Sequence, residues 1–370
     1  MTTTTARKRA RFHTLTVSAV RRLTADSIEV TLAVPEDLRD DYDYAPGQYV
    51  ALRTDRATPG SELRRSYSIC QAPLPGELRV AIKRDVGGVF STWANEHLEP
   101  GMQLDVMSPQ GTFTTDLATA EGKHFATIAA GSGITPVMAL VRTILGGTSR
   151  ATFSLVYSNR TSLDVMFLEE LADLKDKYRH RFALHHVLSR EERTSKLLSG
   201  RLDDDKLEGI LTDLVPPETV DEWFLCGPFD LVETCRKRLD VAGVDPRTVH
   251  FELFTTGRPD LPAGSAARPV ERTVNANAAT IAFTLDGRTS NVVMPEPGVE
   301  SILNAALRVR PDVPFACAGG VCGTCRAKVT TGSVRMTENY ALEPEELDAG
   351  YVLTCQSHPT STEVTVDYDT

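Results

Sequence analysis

A chain of 370 residues, 41% apolar and 24% charged, is long enough for two or three domains, each with a core of its own. Its net charge of -10 argues against nucleic acid as a partner, because a phosphate backbone calls for clustered Lys and Arg. No run approaches the roughly 18 apolar residues of a membrane span, and the basic start (Arg7, Lys8, Arg9, Arg11) lacks the apolar stretch of a signal peptide, so a cytoplasmic protein without membrane contact is expected.

In chain order, the first hundred or so residues read as short strands parted by turns. Ser27-Ile28-Glu29-Val30-Thr31-Leu32 and Leu78-Arg79-Val80-Ala81-Ile82-Lys83 alternate apolar and polar side chains, which predicts half-buried antiparallel strands. Pro46-Gly47, Pro75-Gly76 and Pro100-Gly101 punctuate them. Residues 1–118 are therefore expected to form a small antiparallel β-barrel. Within it, Arg65-Ser66-Tyr67-Ser68 lies on a strand, and Gly87-Gly88-Val89-Phe90-Ser91 opens a helix. A glycine pair at a helix start suits an anion, through free backbone N–H groups and the dipole behind them.

Near Lys123 the rhythm changes. Phe125-Ala126-Thr127-Ile128-Ala129-Ala130 is a continuous apolar run, followed by Gly131-Ser132-Gly133-Ile134-Thr135-Pro136 and a helix. Thr135 is the expected cap of that helix, with Pro136 in the first turn and Gly146 just past the end. Strands at residues 153–157, 182–187 and 223–226 follow, and one intervening helix carries Phe167, Leu171, Leu174 and Tyr178 on a single face. Alternating strands and helices over residues 119–255 predict a parallel α/β sheet. Its glycine turn, with Gly131, Gly133, Thr135 and Pro136, is where the phosphates of a nicotinamide dinucleotide would bind, a plain tight turn being the alternative. Arg160, and Ser189 with Arg190, each follow a strand, where a guanidinium would meet the 2′-phosphate of NADPH, a simply solvated Arg being the alternative. NADPH is expected over NADH.

Residues 256–273 are rich in Pro, Gly, Ala and Arg and read as a linker. Residues 274–370 open with a hairpin signal, strands at 280–285 and 288–294 about the turn Asp286-Gly287, and a short helix at 301–307. Four of the seven cysteines, Cys317, Cys322, Cys325 and Cys355, stand as C-x4-C-x2-C-x29-C. That is the spacing of plant-type [2Fe–2S] ferredoxins. Ala316, Ala318, Gly319, Gly320 and Gly323 let the loop wrap closely and offer backbone N–H groups to cluster sulfurs. The fourth cysteine is expected from a strand at residues 351–355. Zinc also takes four thiolates, but its sites usually pair two short knuckles, whereas here three ligands share one loop. Cys70 and Cys235 read as small buried hydrophobes. Residues 331–370 hold eight acids against one Arg, net -7, a solvated face that would also steer a basic partner.

Together these motifs resemble the ferredoxin–NADP reductase superfamily, extended by a C-terminal plant-type ferredoxin domain of β-grasp fold. Arg65-Ser66-Tyr67-Ser68, after Pro46-Gly47-Gln48-Tyr49, is similar to its R-x-Y-S signature. Cys226-Gly227-Pro228 is similar to its C-G-P motif, and His250-Phe251-Glu252-Leu253-Phe254 to the end of its nicotinamide domain. The resemblance implies that Arg65 and the loop of Gly87, Gly88 and Ser91 hold the FAD pyrophosphate. It makes Ser66 part of the flavin site, lines the isoalloxazine with Tyr67, and sets Ser68 near N5. It puts Cys226, Gly227 and Pro228 by the nicotinamide, Glu252 by the hydride path and Phe254 near the flavin.

The order of flavin, nicotinamide and ferredoxin parts resembles the reductase components of bacterial multicomponent oxygenases over nearly the whole chain. Likeness to the reductases serving phenylacetyl-CoA 1,2-epoxidases lies in Phe12-His13-Thr14-Leu15-Thr16-Val17, Ala172-Asp173-Leu174-Lys175-Asp176-Lys177-Tyr178, Asn339-Tyr340-Ala341-Leu342-Glu343, Gly350-Tyr351-Val352-Leu353 and Val366-Asp367-Tyr368-Asp369. It implies electrons passing from NADPH to FAD to the [2Fe–2S] cluster, and then to a di-iron oxygenase that epoxidises phenylacetyl-CoA. Reductases of Rieske oxygenases, such as steroid 9α-hydroxylases, share the layout, and a non-catalytic redox sensor or carrier would use the same cofactors. The basic tail, residues 1–11, departs from the family and has no functional account.

Overall fold

Alternating side chains in the first part of the chain produce six antiparallel strands. The computed structural model describes residues 11–54, 63–254, 278–285, 287–295, 300–310, 313–315, 320, 323–339, 341–342 and 344–370. Its first strands are β1 (Phe12–Thr24), β2 (Ser27–Ala33), β3 (Tyr49–Thr54), β4 (Leu63–Ser68) and β5 (Glu77–Lys83), then helix α1 (Val89–His97) and β6 (Gln103–Met107). They are ordered β4-β3-β6-β1-β2-β5, and a bridge from Ile69, just past β4, to Val80 of β5 joins the two edges into a barrel. Ile28, Val30, Leu32, Leu52, Val80 and Ile82 fill it, with Phe90 and Ala94 of α1 packed against them.

One expectation fails here. β2 is not half-buried, since six of its seven residues are buried. Its outward-facing Glu29 pairs across the ladder with Ala81 of β5, and Ala81 and the nearby Cys70 belong to the core of the next part of the chain. The outer wall of the barrel is thus a packed seam rather than a solvated face.

That next part is built on a continuous apolar strand, β7 (His124–Ala130), buried at its centre as a parallel strand covered on both faces should be. It continues through α2 (Ile134–Gly147), β8 (Thr152–Asn159), α3 (Leu168–Lys177), β9 (Phe182–Leu188), α4 (Asp204–Asp213), β10 (Glu222–Gly227), α5 (Phe229–Val241) and β11 (Val249–Leu253). The strands are all parallel, in the order β11-β10-β7-β8-β9. Strand order reverses between β7 and β10, and the crevice beyond their carboxyl ends is where such sheets bind ligands. Helix α2 differs from expectation at both ends. A single 3-10 turn, Gly131–Gly133, runs straight into it, so Thr135 lies in its first turn instead of capping it, and Gly146 is inside the helix. The barrel keeps its own core, Cys70 and Ala81 of its wall pack into that of the parallel sheet, and the two form one compact unit, Met1–Phe254.

The second unit, Thr255–Thr370, contains β12 (Ala279–Leu285), β13 (Arg288–Met294), α6 (Ile302–Leu307), β14 (Arg326–Thr331), β15 (Val334–Met336), α7 (Pro344–Asp348), β16 (Tyr351–Leu353), β17 (Ser357–Pro359) and β18 (Glu363–Asp367). Its main sheet runs β13-β12-β18-β14-β16, with β12 and β18 parallel, the order of a β-grasp fold, and α6 packs into its core. Cys355 lies just beyond the end of β16, not on the strand. Cys317, Cys322, Asp286 and the linker 256–273 lie outside the described residues. Among the described residues no helix is long and apolar enough to cross a membrane.

Candidate functional site

The reversal point of the parallel sheet gathers the residues that the sequence singled out far apart. The turn after β7 must pass close under the end of β10: a Cβ on Gly133 would stand 2.2 Å from the carbonyl oxygen of Cys226, so only glycine fits. Tyr157 of β8 pins the same turn, its hydroxyl donating to the Gly131 carbonyl at 2.8 Å. β10 and β11 pair so that Cys226 lies beside Glu252, and the Phe254 amide donates to the Gly227 carbonyl at 3.0 Å. From the barrel, the Ser68 hydroxyl donates to a Glu252 carboxylate oxygen at 3.0 Å. Ser68 is buried, and Cys226 is wholly so. Burial, reinforced by the charge of Glu252, raises the Cys226 thiol well above its ordinary value. It stays protonated, which suits a packing and positioning group rather than a nucleophile.

The glycine loop stands at the start of α1. Gly87 has φ +76, and a Cβ there would meet nothing within 4 Å, so the loop leaves open space above it. The Gly88 amide donates to the Asp85 carbonyl at 3.0 Å, and the buried Ser91 hydroxyl accepts from the Asp85 amide at 3.1 Å. Ser91 therefore closes the loop itself. Arg65 on β4 acts electrostatically on Asp85, whose carboxyl burial pushes up while Arg65 and Lys83 pull it down. The Tyr67 ring packs on Phe90 of α1 at 5.7 Å, tying the R-x-Y-S strand to the helix. The buried Ser66 hydroxyl finds no partner among the described residues. Among the described residues no side chain caps α1, α2 or α5 (the last led by Pro228), nor α3, whereas Asp203 caps α4 and Ser301 caps α6. Free helix starts, an orphaned hydroxyl and an open glycine loop fit a group carrying phosphates and a polar ring.

The residues expected to read a 2′-phosphate separate into two kinds. Arg160 is ion-paired with Asp164 and reaches Asp26 of the barrel at 3.5 Å. Ser189 and Arg190 lie beside it, through backbone bonds to Asn159 and Arg160 of 2.9 and 2.8 Å, and Arg190 is exposed. Thr135 turns its hydroxyl onto the Ser132 carbonyl at 3.0 Å, and Pro136 is buried in the same helical turn. Sequence reasoning missed a set of charges behind the site, Arg21, Glu29, Arg142 and Glu170. A single Arg within the apolar run of α2 was the available signal.

In the second unit, β14 pairs antiparallel with β16 so that Arg326 faces Leu353. This brings the residues flanking those strands, Cys325 and Cys355, to the same end of the ladder. The Thr354 amide and hydroxyl both donate to the Cys325 carbonyl, at 3.1 and 2.9 Å, and the Tyr368 hydroxyl donates to Thr354 at 3.0 Å. Both cysteines are buried. Gly320 and Gly323, in the loop before β14, have φ of +78 and +69, which side-chain-bearing residues rarely adopt. Two buried cysteines, the third and fourth of the sequence pattern, brought together by the β14–β16 ladder, fit a thiolate-held cluster.

Comparison with known proteins bears on all three regions. Family models described as an oxidoreductase FAD-binding domain, an oxidoreductase NAD-binding domain and a 2Fe-2S iron-sulfur cluster binding domain match residues 14–115, 127–237 and 283–360. The fold and these matches define the class: a flavin- and nicotinamide-binding oxidoreductase with its iron–sulfur domain on the same chain. The chain is 44% identical to one of the proteins that make up the 1,2-phenylacetyl-CoA epoxidase of Escherichia coli (strain K12), over 97% of this chain and 98% of that protein. It is 34% identical to the ferredoxin reductase component of 3-ketosteroid-9-alpha-monooxygenase of Rhodococcus rhodochrous, over 100% of both. Phthalate dioxygenase reductase shares the fold at a TM-score of 0.55 and 23% identity, over 96% of this chain and 98% of that one. The chain belongs to the family of FAD- and [2Fe–2S]-containing reductase components of oxygenase systems, which pass electrons from NAD(P)H through FAD to the cluster.

Proposed function

We propose that this chain is the NADPH-dependent reductase of a di-iron phenylacetyl-CoA 1,2-epoxidase. The observation that carries the flavin half of the proposal is the Ser68 hydroxyl on Glu252 at 3.0 Å, beside the fully buried Cys226 at the sheet's reversal point. Side chains from barrel and parallel sheet meet there, where a flavin ring and a nicotinamide would have to face each other. In this assignment Arg65, Ser66 and the loop of Gly87, Gly88 and Ser91 hold FAD, Tyr67 and Phe254 wall its ring, and Ser68 and Glu252 fix the polar edge of the hydride path. The turn of Gly131, Gly133, Thr135 and Pro136, with Cys226, Gly227 and Pro228, receives the nicotinamide dinucleotide. Ser189 and the exposed Arg190 meet the 2′-phosphate, with Arg160 behind them. Cys317, Cys322, Cys325 and Cys355 hold the cluster. Held by these residues, FAD would supply the conversion of a hydride's electron pair into single electrons; the protein's residues supply position and exclude water.

The domain limits go with this assignment: flavin domain to residue 118, nicotinamide domain to 255, linker to 273, ferredoxin domain beyond. The partner is favoured by the 44% identity to the Escherichia coli epoxidase protein against 34% to the steroid monooxygenase reductase. The exposed acids Glu338, Glu345, Asp348 and Glu363 suit an oxygenase with a basic docking rim. The second reading, a reductase for a Rieske steroid oxygenase, rests on that full-length 34% match. The deciding experiment is reconstitution of the FAD- and cluster-loaded chain with the oxygenase proteins of a phenylacetyl-CoA epoxidase and, separately, with a steroid 9α-hydroxylase oxygenase. NADPH-dependent epoxide formation is expected only with the first, and hydroxylated steroid without epoxide would overturn the proposal.

A further inference from the structure

Behind the site, four charged side chains cross the seam between the barrel and the parallel sheet. Arg142, in the middle of α2, donates to the Cys70 carbonyl, two residues past Ser68, and pairs with Glu170 in the first turn of α3. Glu170 also pairs with Arg21 of β1, which holds Glu29 of β2 at 2.9 Å. Glu29 is buried, and its other oxygen lies 3.7 Å from the Cys70 sulfur. Two features show that the chain is held in this arrangement. Phe167, leading into α3, is the one non-glycine residue with positive φ (60°) among the described residues, and the Arg142 guanidinium lies over its ring at 5.6 Å. Ionic groups at such a seam add little net stability over apolar ones, and setting register is their best-attested use.

The contacts form a ring. Ser68 touches Glu252, Glu252 lies beside Cys226, and Cys226 packs under Gly133 at the start of α2. Helix α2 then runs about two turns to Arg142, which grips Cys70 and so returns to the strand of Ser68. One rigid helix therefore links the nicotinamide-side turn to the flavin-side strand.

We propose that Arg142 and Glu170 are positioning residues, which hold α2 against the end of the flavin-motif strand and thereby set the approach of nicotinamide to flavin. This rests on the assignment of Ser68, Cys226 and Glu252 to the hydride-transfer site. The test uses the full FAD-loaded chain with Arg142→Met, Arg142→Lys and Glu170→Gln, and Arg21→Met as a milder variant at a half-exposed position. Flavin reduction by saturating NADPH is followed by stopped flow, with deuterated NADPH in parallel. Hydrogen exchange is measured on the flavin-free chain.

The limiting rate should fall on the order of tenfold in Arg142→Met and Glu170→Gln, since small misplacements of reacting groups cost that much or more. Nucleotide affinity should hold, an isotope effect should persist, and Arg142→Lys should recover part of the rate. Exchange should quicken together at residues 68–70 and 131–133, at both ends of the ring. A limiting rate equal to the parent's, a loss confined to NADPH affinity, or exchange quickened only around residues 142 and 170 would overturn the inference. Were Arg142→Met to fail to fold, Arg21→Met and the exchange data decide by the same criteria. If instead the parent chain's flavin were not reduced by NADPH at all, the functional assignment would fall, a result distinct from any of these.

Discussion

A Cβ on Gly133 would lie 2.2 Å from the oxygen and 2.6 Å from the carbon of the Cys226 carbonyl, whereas one on Gly146, in the same helix, has only the Tyr178 hydroxyl at 3.8 Å. The first position is glycine because two backbones meet there; the second carries no such constraint. Opposite outcomes follow for one substitution. Gly133→Ala should destabilise the chain by about 1–3 kcal/mol, the usual cost of overpacking, because neither neighbour is a flexible side chain. Gly146→Ala should stabilise it by about 0.5–1 kcal/mol, by restricting the unfolded chain and favouring helix. Urea denaturation of the two variants beside the parent gives both signs, and a neutral Gly133→Ala would mean that α2 and β10 are not in close contact.

At the level of elements, Glu222 ties the base of the parallel sheet together, bonding Lys123 before β7 at 2.8 Å and His250 of β11 at 3.3 Å. Burial works to raise its pKa, but His250 and Lys123 outweigh it and bring the carboxyl to about 2 from an ordinary 4.5. A folded-state pKa below the unfolded one stabilises above the unfolded value and is lost as pH falls through the folded one. Glu222→Gln should therefore be less stable than the parent at neutral pH, with the gap in urea midpoint closing between pH 4.5 and about 2. A gap unchanged across that window would show that the carboxylate contributes nothing through its charge. The strands and glycine turns of this sheet were legible because they obey local rules: the apolar run of β7, Gly133 before α2, Cys226-Gly227-Pro228 at the end of β10. The burial of β2 and the pairing of Arg142 with Glu170 were not, since both depend on which surface the barrel presents to the sheet. The start of α2 was misread because Thr135 looks like a cap wherever a 3-10 turn does not precede it.

Over the whole molecule, cysteine spacing alone pointed to a 2Fe-2S domain, and the family match over residues 283–360 agrees, because three thiolates sharing one short loop leave a local signature. That the chain serves an oxygenase was legible only by likeness, because no local motif within a reductase encodes the class of its acceptor. What the fold adds is a division of labour. The FAD- and NAD-binding domain matches, residues 14–115 and 127–237, lie in the first unit and the 2Fe-2S match, residues 283–360, in the second, and each unit has apolar cores of its own. Cutting the chain between them should thus separate the chemistry without unfolding either part. Residues 1–254 should bind FAD and reduce ferricyanide with NADPH near the parent rate, yet give no product with the oxygenase. Adding loaded residues 274–370 should restore product formation in proportion to their concentration. The joined chain holds its two units at an effective concentration on the order of millimolar, so micromolar fragments should recover only a small fraction of parent turnover. Full turnover from residues 1–254 alone would mean that electrons leave from the flavin directly, and the cluster would then lie off the path to the oxygenase.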